Sequence, residues 1–266
     1  MTTNISLIVV TKDNTKELAI TLDSILTQTY NKNIELIIIN GGRDISYKEL
    51  IILKKKFKVY QLKDKKVGIF SAMNQGAKKA NGKHLLFLNS GDRFINDNIL
   101  KTLFKTNLKN NSNYLFICKV IGKYYQWHIP NSNNKMEKIP RNINVHQSIL
   151  FKKSFYKNVK YNENYAIAAD YEVKYEMIKK SKNIFIPFVI TEHRLGGVSS
   201  NYKLRNYLTV AYELFKIDSN KFLIGNLIFN QIFLFIKFIL TKTNNKKILE
   251  KLLMNKYKGL IYEIKI

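Results

Sequence analysis

Four short apolar runs, separated by stretches of helical apolar spacing, occupy the first ninety positions and restrict the fold more than any other feature. They are residues 5–11 (ISLIVVT), 35–40 (ELIIIN), 58–62 (KVYQL) and 84–89 (HLLFLN). A strand covered by helices on both faces reads as a continuous apolar run, because neither face meets water. Between the first two runs, Asn14 and Glu17 form a capping pair, and Leu18, Leu22, Ile25 and Leu26 recur at helical spacing. Further helices are predicted over 46–55 and 70–80. This alternation specifies an α/β fold whose first half is a parallel sheet flanked by helices.

Ligands of such sheets bind beyond the carboxyl ends of the strands, where backbone groups and helix N-termini converge. The loops in that position are 11–14, 40–44 and 89–92. No Gly-rich dinucleotide turn follows the first strand and no phosphate loop ending in Gly-Lys-Ser/Thr occurs, so a mononucleotide held by side chains and a metal remains open. The second half reads as aromatic strands over 114–128, a polar loop at 131–134, a strand over 145–151, a helix over 170–180 and a strand over 184–190. From residue 202 the pattern is helical. We therefore expect a catalytic domain over 1–218 and a basic amphipathic helical tail over 219–266.

Within that tail, residues 222–240 (FLIGNLIFNQIFLFIKFIL) form the most apolar window, interrupted by Asn226, Asn230, Gln231 and Lys237. The length suits a membrane span, a helix lying in the interface, or a helix packed on protein; the interior polar positions and the following lysines favour the interface. Forty lysines and five arginines face nineteen acidic residues, a formal net charge of +26. Such a balance reads either as a bias of overall composition, carried by the abundant lysine, or as the mark of an anionic partner. Arginine is the residue that reads bases and clamps phosphates bidentately, so its scarcity argues against nucleic acid and for a membrane surface. The one cysteine, Cys118, lies in an apolar run, which excludes a disulfide framework and a cysteine metal site. Residues 1–4 lead directly into the first strand without a secretory signal pattern. The expected location is cytoplasmic, peripheral at the inner face of the cytoplasmic membrane.

Two carboxylates stand where chemistry is expected. Asp92 is the only acid in the turn after the fourth run, and reads either as a plain turn or cap residue or as a metal ligand. Asp170 opens the predicted helix over 170–180, and reads as an N-cap or as a general base. The segments ISLIVVTKDN, LDSILTQTY, IELIIINGG, GIFSAMNQGAKKANGKHLLFLNSGD, HQSILFKK, AADYEV and LGGVSS, taken in order and spacing, resemble family 2 glycosyltransferases, in particular the bacterial group that builds envelope polysaccharides such as colanic acid.

That resemblance implies a nucleotide-diphospho-sugar transferase (GT-A) fold with a mixed central sheet flanked by helices. It implies an inverting hexosyltransferase that moves a sugar from a nucleotide-sugar donor, UDP-linked, to a lipid-linked or growing envelope-polysaccharide acceptor. Carried onto this sequence, it puts Thr11, Asp13 and Asn40 at the nucleobase, and Gly68, Ala72, Asn74, Asn89 and Asp92 at the rest of the donor. Asp92 would hold Mg²⁺ or Mn²⁺, and Asp170 would be the catalytic base. His146, Gln147, His193 and Arg194 would lie on the acceptor or diphosphate side. Five positions depart from the family pattern: Asn40, Lys66, Ser71, Asn89 and Ala169. They motivate the alternative of an inactive member that scaffolds a polysaccharide-synthesis complex.

Overall fold

In the computed structural model, the described residues are 4–45, 50–65, 68–106, 108, 111–122, 126–129, 145–195 and 204–217, with scattered positions beyond. The first half alternates as the apolar runs require: β1 (Ile5–Thr11), α1 (Thr15–Leu26), β2 (Ile34–Asn40), α2 (Leu50–Lys56), β3 (Lys58–Lys63), α3 (Ile69–Lys79) and β4 (His84–Asn89). β1 lies between β2 and β4, with β3 outside β2, and all pairings are parallel. The Asn14 side chain accepts from the Glu17 N–H, so α1 starts where the capping pair places it.

Beyond β4 the direction changes. β5 (Arg93–Phe94), α4 (Ile99–Lys105), β6 (Asn113–Ile121) and β7 (Gln126–Ile129) precede β8 (Ile149–Lys152), α5 (Lys153–Asn158), α6 (Ala169–Lys180), β9 (Asn183–Arg194) and α7 (Leu204–Ile217). β8 pairs antiparallel with both β4 and β6 and joins the two halves into one mixed sheet. β9 runs parallel to β6 and antiparallel to β5.

Alternate residues of each central strand serve opposite faces. Leu7, Val9, Leu36, Ile38, Leu86 and Leu88 pack with Leu18, Leu22, Ile25, Leu100 and Leu103 of α1 and α4. Ile8, Val10, Ile37, Ile39, Leu85 and Phe87 pack with Phe70, Met73, Phe155, Tyr156 and Val173 of α3, α5 and α6. At the amino end of the sheet, buried Glu35 accepts from Ser6 Oγ (2.6 Å), Gly82 N (3.2 Å) and Asn81 N (2.5 Å). One carboxylate thus joins β1, β2 and the α3–β4 turn.

Three expectations need correction. The strand predicted over 145–151 begins only at Ile149, because His146–Ser148 form a 3₁₀ turn. Their polar side chains reach Asn89, His193 and Thr191 instead of following a ladder. β9 extends through Arg194, not to residue 190, because β5 and β6 pair its polar end, where apolar patterning gives no strand signal. The tail is not helical throughout: β10 (Ile261–Tyr262) pairs antiparallel with β7, an edge whose backbone groups otherwise lack partners. Most of 222–240 lies outside the described residues. Among the described residues, no helix is long and apolar enough to cross a membrane.

A Cβ on Gly82 would come within 2.5 Å of Ser6 Oγ and 2.7 Å of the Ser6 backbone nitrogen, which no rotamer change relieves. Gly82→Ala is expected to lower the unfolding free energy by about 1–3 kcal/mol, as read by urea denaturation.

Candidate active site

The carboxyl ends of β1, β2 and β4 converge with the 3₁₀ turn, the start of α6 and the end of β9. Thr11 closes β1, and Asp13 follows in the left-handed region at φ 51°. Asp13 Oδ1 accepts from Arg43 N at 2.9 Å, while Asn40 donates to Arg43 O (2.5 Å) and accepts from Gly42 N (2.9 Å). The two loops are thereby joined. Gly42 is needed there, since a Cβ would sit 2.4 Å from Asp13 Oδ1.

The turn after β4 is pinned to α1. Thr21 Oγ1 donates to Asp92 O (2.7 Å) and accepts from Gly91 N (3.0 Å), and Gly91 takes φ 96°, a conformation that favours glycine. Asp92 is buried, and its Oδ2 accepts from Asn89 N at 2.8 Å. Its other oxygen accepts from His193 Nδ1 at 2.6 Å. Burial opposes a charge on His193, but the hydrogen bond and the charge of Asp92, aided by Asp170, outweigh it and raise the imidazole above its ordinary value. Gln147 Nε2 stands 3.3 Å from the same ring nitrogen.

A second set of contacts leads from this turn to Asp170. Asn89 Nδ2 lies 3.3 Å from His146 Nε2, and His146 Nδ1 lies 3.8 Å from Asp170 Oδ2. The tautomer that accepts from Asn89 presents its N–H to Asp170. Lys174, one helical turn on, donates to Asp170 Oδ2 at 3.0 Å although it is only 6% exposed itself. Burial raises the Asp170 pKa, but the Lys174 ammonium and the His146 contact more than offset this and hold the carboxyl well below the usual range. Asp92 and Asp170, 78 positions apart in sequence, are thus linked through Asn89 and His146. The Asn89 Oδ1 atom is buried with no partner among the described residues and is a hard oxygen donor at this point.

Other predicted residues lie apart from this chain of contacts. Gly68 caps α3 at φ 142°, and Ala72 is buried in the core. Asn74 accepts from Tyr156 Oη (2.9 Å) and Tyr161 N (3.1 Å), and donates to Tyr161 O (2.8 Å) and Glu163 (3.1 Å). Its amide holds the α5–α6 connection. Arg194 is half-exposed, with Nε 3.4 Å from Glu192. A groove of about 880 Å³ along α3 and α5 is lined by Asn74 and six lysines, but by neither carboxylate nor histidine of the linked set. Two contributors were missed by sequence reasoning. Lys174 carries a signal, its (i, i+4) spacing from Asp170. Glu213 of α7 accepts from the backbone of 166–168 and carries none, since the contact spans about forty-five residues.

Residues 6–167, more than half of the chain, match the family described as Glycosyl transferase family 2. The chain belongs to that family. The match ends just before Asp170, so α6, β9 and α7 stand outside it. Glycosyltransferase GlyA of Streptococcus pneumoniae is 27% identical over 135 residues, which are 48% of this chain and 19% of that protein. The chain therefore spans about a fifth of that relative's length. Among solved structures, S. aureus TarS 1–349 in complex with UDP-GlcNAc superposes at TM-score 0.61 with 16% identity, covering 80% of this chain and 66% of that one. Mannosyltransferase PcManGT from Pyrobaculum calidifontis in complex with GDP-Man and Mn²⁺ gives TM-score 0.54 with 11% identity, covering 81% and 63%. At such identities the likeness is one of fold, and the mixed sheet flanked by helices is GT-A-like.

Replacing Lys174 by Met leaves the Asp170 charge without its main partner. Lys174→Met is expected to lower stability by up to about 3 kcal/mol at neutral pH. The lowered carboxyl pKa contributes stability above the unfolded value and loses it as pH falls through the folded one, so the deficit narrows in acid. Denaturation series at pH 7 and below pH ~4 measure both effects.

Proposed function

We propose that this chain is an inverting glycosyltransferase that moves a sugar from a nucleotide-diphosphate donor, UDP-linked, to a lipid-linked or growing envelope-polysaccharide acceptor. The observation that carries this reading is the linked pair of carboxylates at the carboxyl ends of the strands, one beside an imidazole and one beside an ammonium. The UDP-GlcNAc and GDP-Man complexes of TarS and PcManGT support a nucleotide-sugar donor. On this reading Thr11, Asp13 and Asn40 border the nucleobase, and Gly68, Ala72 and Asn74 border the ribose and diphosphate.

The donor set around Asp92 fits a divalent cation, Mg²⁺ or Mn²⁺, shared with the diphosphate. Asp92 and His193 are adjacent, and the orphaned Asn89 Oδ1 supplies a further hard atom. No group of three His, Cys, Asp or Glu side chains able to hold a metal occurs among the described residues, so diphosphate oxygens and water would complete the shell. When bound, the cation would neutralise charge on the leaving diphosphate. Since His193 must be neutral to serve as a ligand, its raised pKa makes protons competitors for the site.

Asp170 is the base in this proposal. It is ionised throughout the neutral range, takes the proton of the acceptor hydroxyl as that oxygen bonds to the anomeric carbon, and stays opposite the departing diphosphate. A single displacement inverts the anomeric centre. His146 and Lys174 restrain the carboxylate, while Gln147 and Arg194 are assigned to the acceptor or diphosphate side. Asp170→Asn is expected to reduce transfer by about 10²–10⁴-fold while donor binding persists, and full activity in that variant would remove the base assignment.

Thermal stabilisation by UDP, UDP-GlcNAc and GDP-mannose, with and without Mn²⁺, tests the donor without a known acceptor. The expected result is a cation-dependent rise with one nucleotide that is lost in Asp92→Ala; no rise with any of them would favour the inactive scaffold. Peripheral membrane attachment is proposed for the basic apolar tail, and its exposed Ile236, Ile239 and Ile248 support it. A chain ending at residue 218 is expected to lose binding to vesicles of anionic phospholipid, and equal binding by both chains would refute the tail's role.

A further inference from the structure

The segment leading into α6 is held from two sides, by Asn74 of α3 and by Glu213 of α7. Asn74 ties the backbone of Tyr161. Farther along, Glu213 of α7, only 4% exposed, accepts from three successive N–H groups: Ala166 (2.6 Å), Ile167 (3.1 Å) and Ala168 (2.7 Å). Both carboxylate oxygens are used, Oε1 for Ala166 and Oε2 for the other two.

The N–H groups at a helix start lack intrahelical acceptors, and the helix end carries partial positive charge. Most helices meet this need with a local Ser, Thr, Asp or Asn. Here the capping position is Ala168, which has no side-chain acceptor, and the residues before it are Ile167 and Ala166. Glu213, from a different helix, accepts instead from the N–H groups of the N-cap residue and the two residues before it, just ahead of the first turn. Asp170 lies two residues beyond the clamp, in the first turn of α6.

We propose that Glu213 is a positioning residue for Asp170: by fixing the backbone of 166–168 it sets where α6 begins and how the Asp170 carboxylate faces His146 and the cleft. The clamp makes α7, which lies outside the family match, a required part of the catalytic unit. This inference rests on the reading of Asp170 as the base.

The test uses the full-length chain with Glu213→Ala, Glu213→Gln and Asp170→Asn. Amide hydrogen exchange reports the backbone, and UDP release from UDP-GlcNAc with Mn²⁺ reports turnover. In Glu213→Ala, exchange should rise in 166–172 and not in β1 or β4. The kcat should fall about 10- to 100-fold with donor KM unchanged, and its acid limb should move to higher pH as Asp170 loses the His146 contact. Glu213→Gln retains one acceptor oxygen and should fall between wild type and Ala. Unchanged exchange at 166–168, unchanged kcat despite faster exchange, or faster exchange throughout the sheet would each overturn the proposal. Wild-type turnover in Asp170→Asn would instead overturn the base reading. If the wild-type chain releases no UDP, the donor reading fails and the exchange result alone decides the clamp.

Discussion

The hydrogen bond between Asp92 and His193 is the constraint on which the rest of the site depends. It joins the carboxyl end of β4, in the parallel half, to the end of β9, in the half organised around β6. Asp92 is buried, so a partner there is a requirement: removing one member of a buried charged pair leaves a charge without compensation. The Thr21 and Gly91 contacts then hold the turn against α1. In this arrangement a carboxylate and an imidazole meet beyond the carboxyl end of β4, where the proposed function puts the diphosphate.

Asp170 is organised on a different principle. Lys174 and His146 keep it ionised and Glu213 fixes the backbone that leads to it, so its charge and its placement have separate sources. A carboxylate held well below its usual pKa is a weak base in the ground state. Under the proposed mechanism it gains effectiveness only as the acceptor oxygen becomes acidic during bond formation, which suits proton transfer coupled to displacement. Asn74 ties Tyr161 to α3 and so holds the segment that leads toward α6.

Legibility in the sequence followed burial. The strands β1, β2 and β4 are almost wholly buried, and short apolar runs announce them. Regions whose structure is set by polar contacts carry no such signal. The turn at His146–Ser148 reads as strand only through the apolar run of β8 that follows it, and the end of β9 lacks a strand pattern, because Thr191, Glu192, His193 and Arg194 show no apolar alternation. Asp92 and Asp170 were legible as isolated carboxylates next to helix or strand ends. Their partners were less so, since a hydrogen bond between residues a hundred positions apart leaves no local spacing to read.

By itself, the sequence determined the alternation of buried strands and amphipathic helices, the capped start of α1, and the residue types available at the strand ends. These follow from hydrophobic burial and local backbone hydrogen bonding, which act over a few residues. Only the tertiary structure decided that β8 turns antiparallel between β4 and β6, that His193 meets Asp92, and that Glu213 holds the segment leading into a helix it does not belong to. Those outcomes depend on satisfying buried polar groups across long chain separations, and the partner for each is chosen by how the packed elements meet.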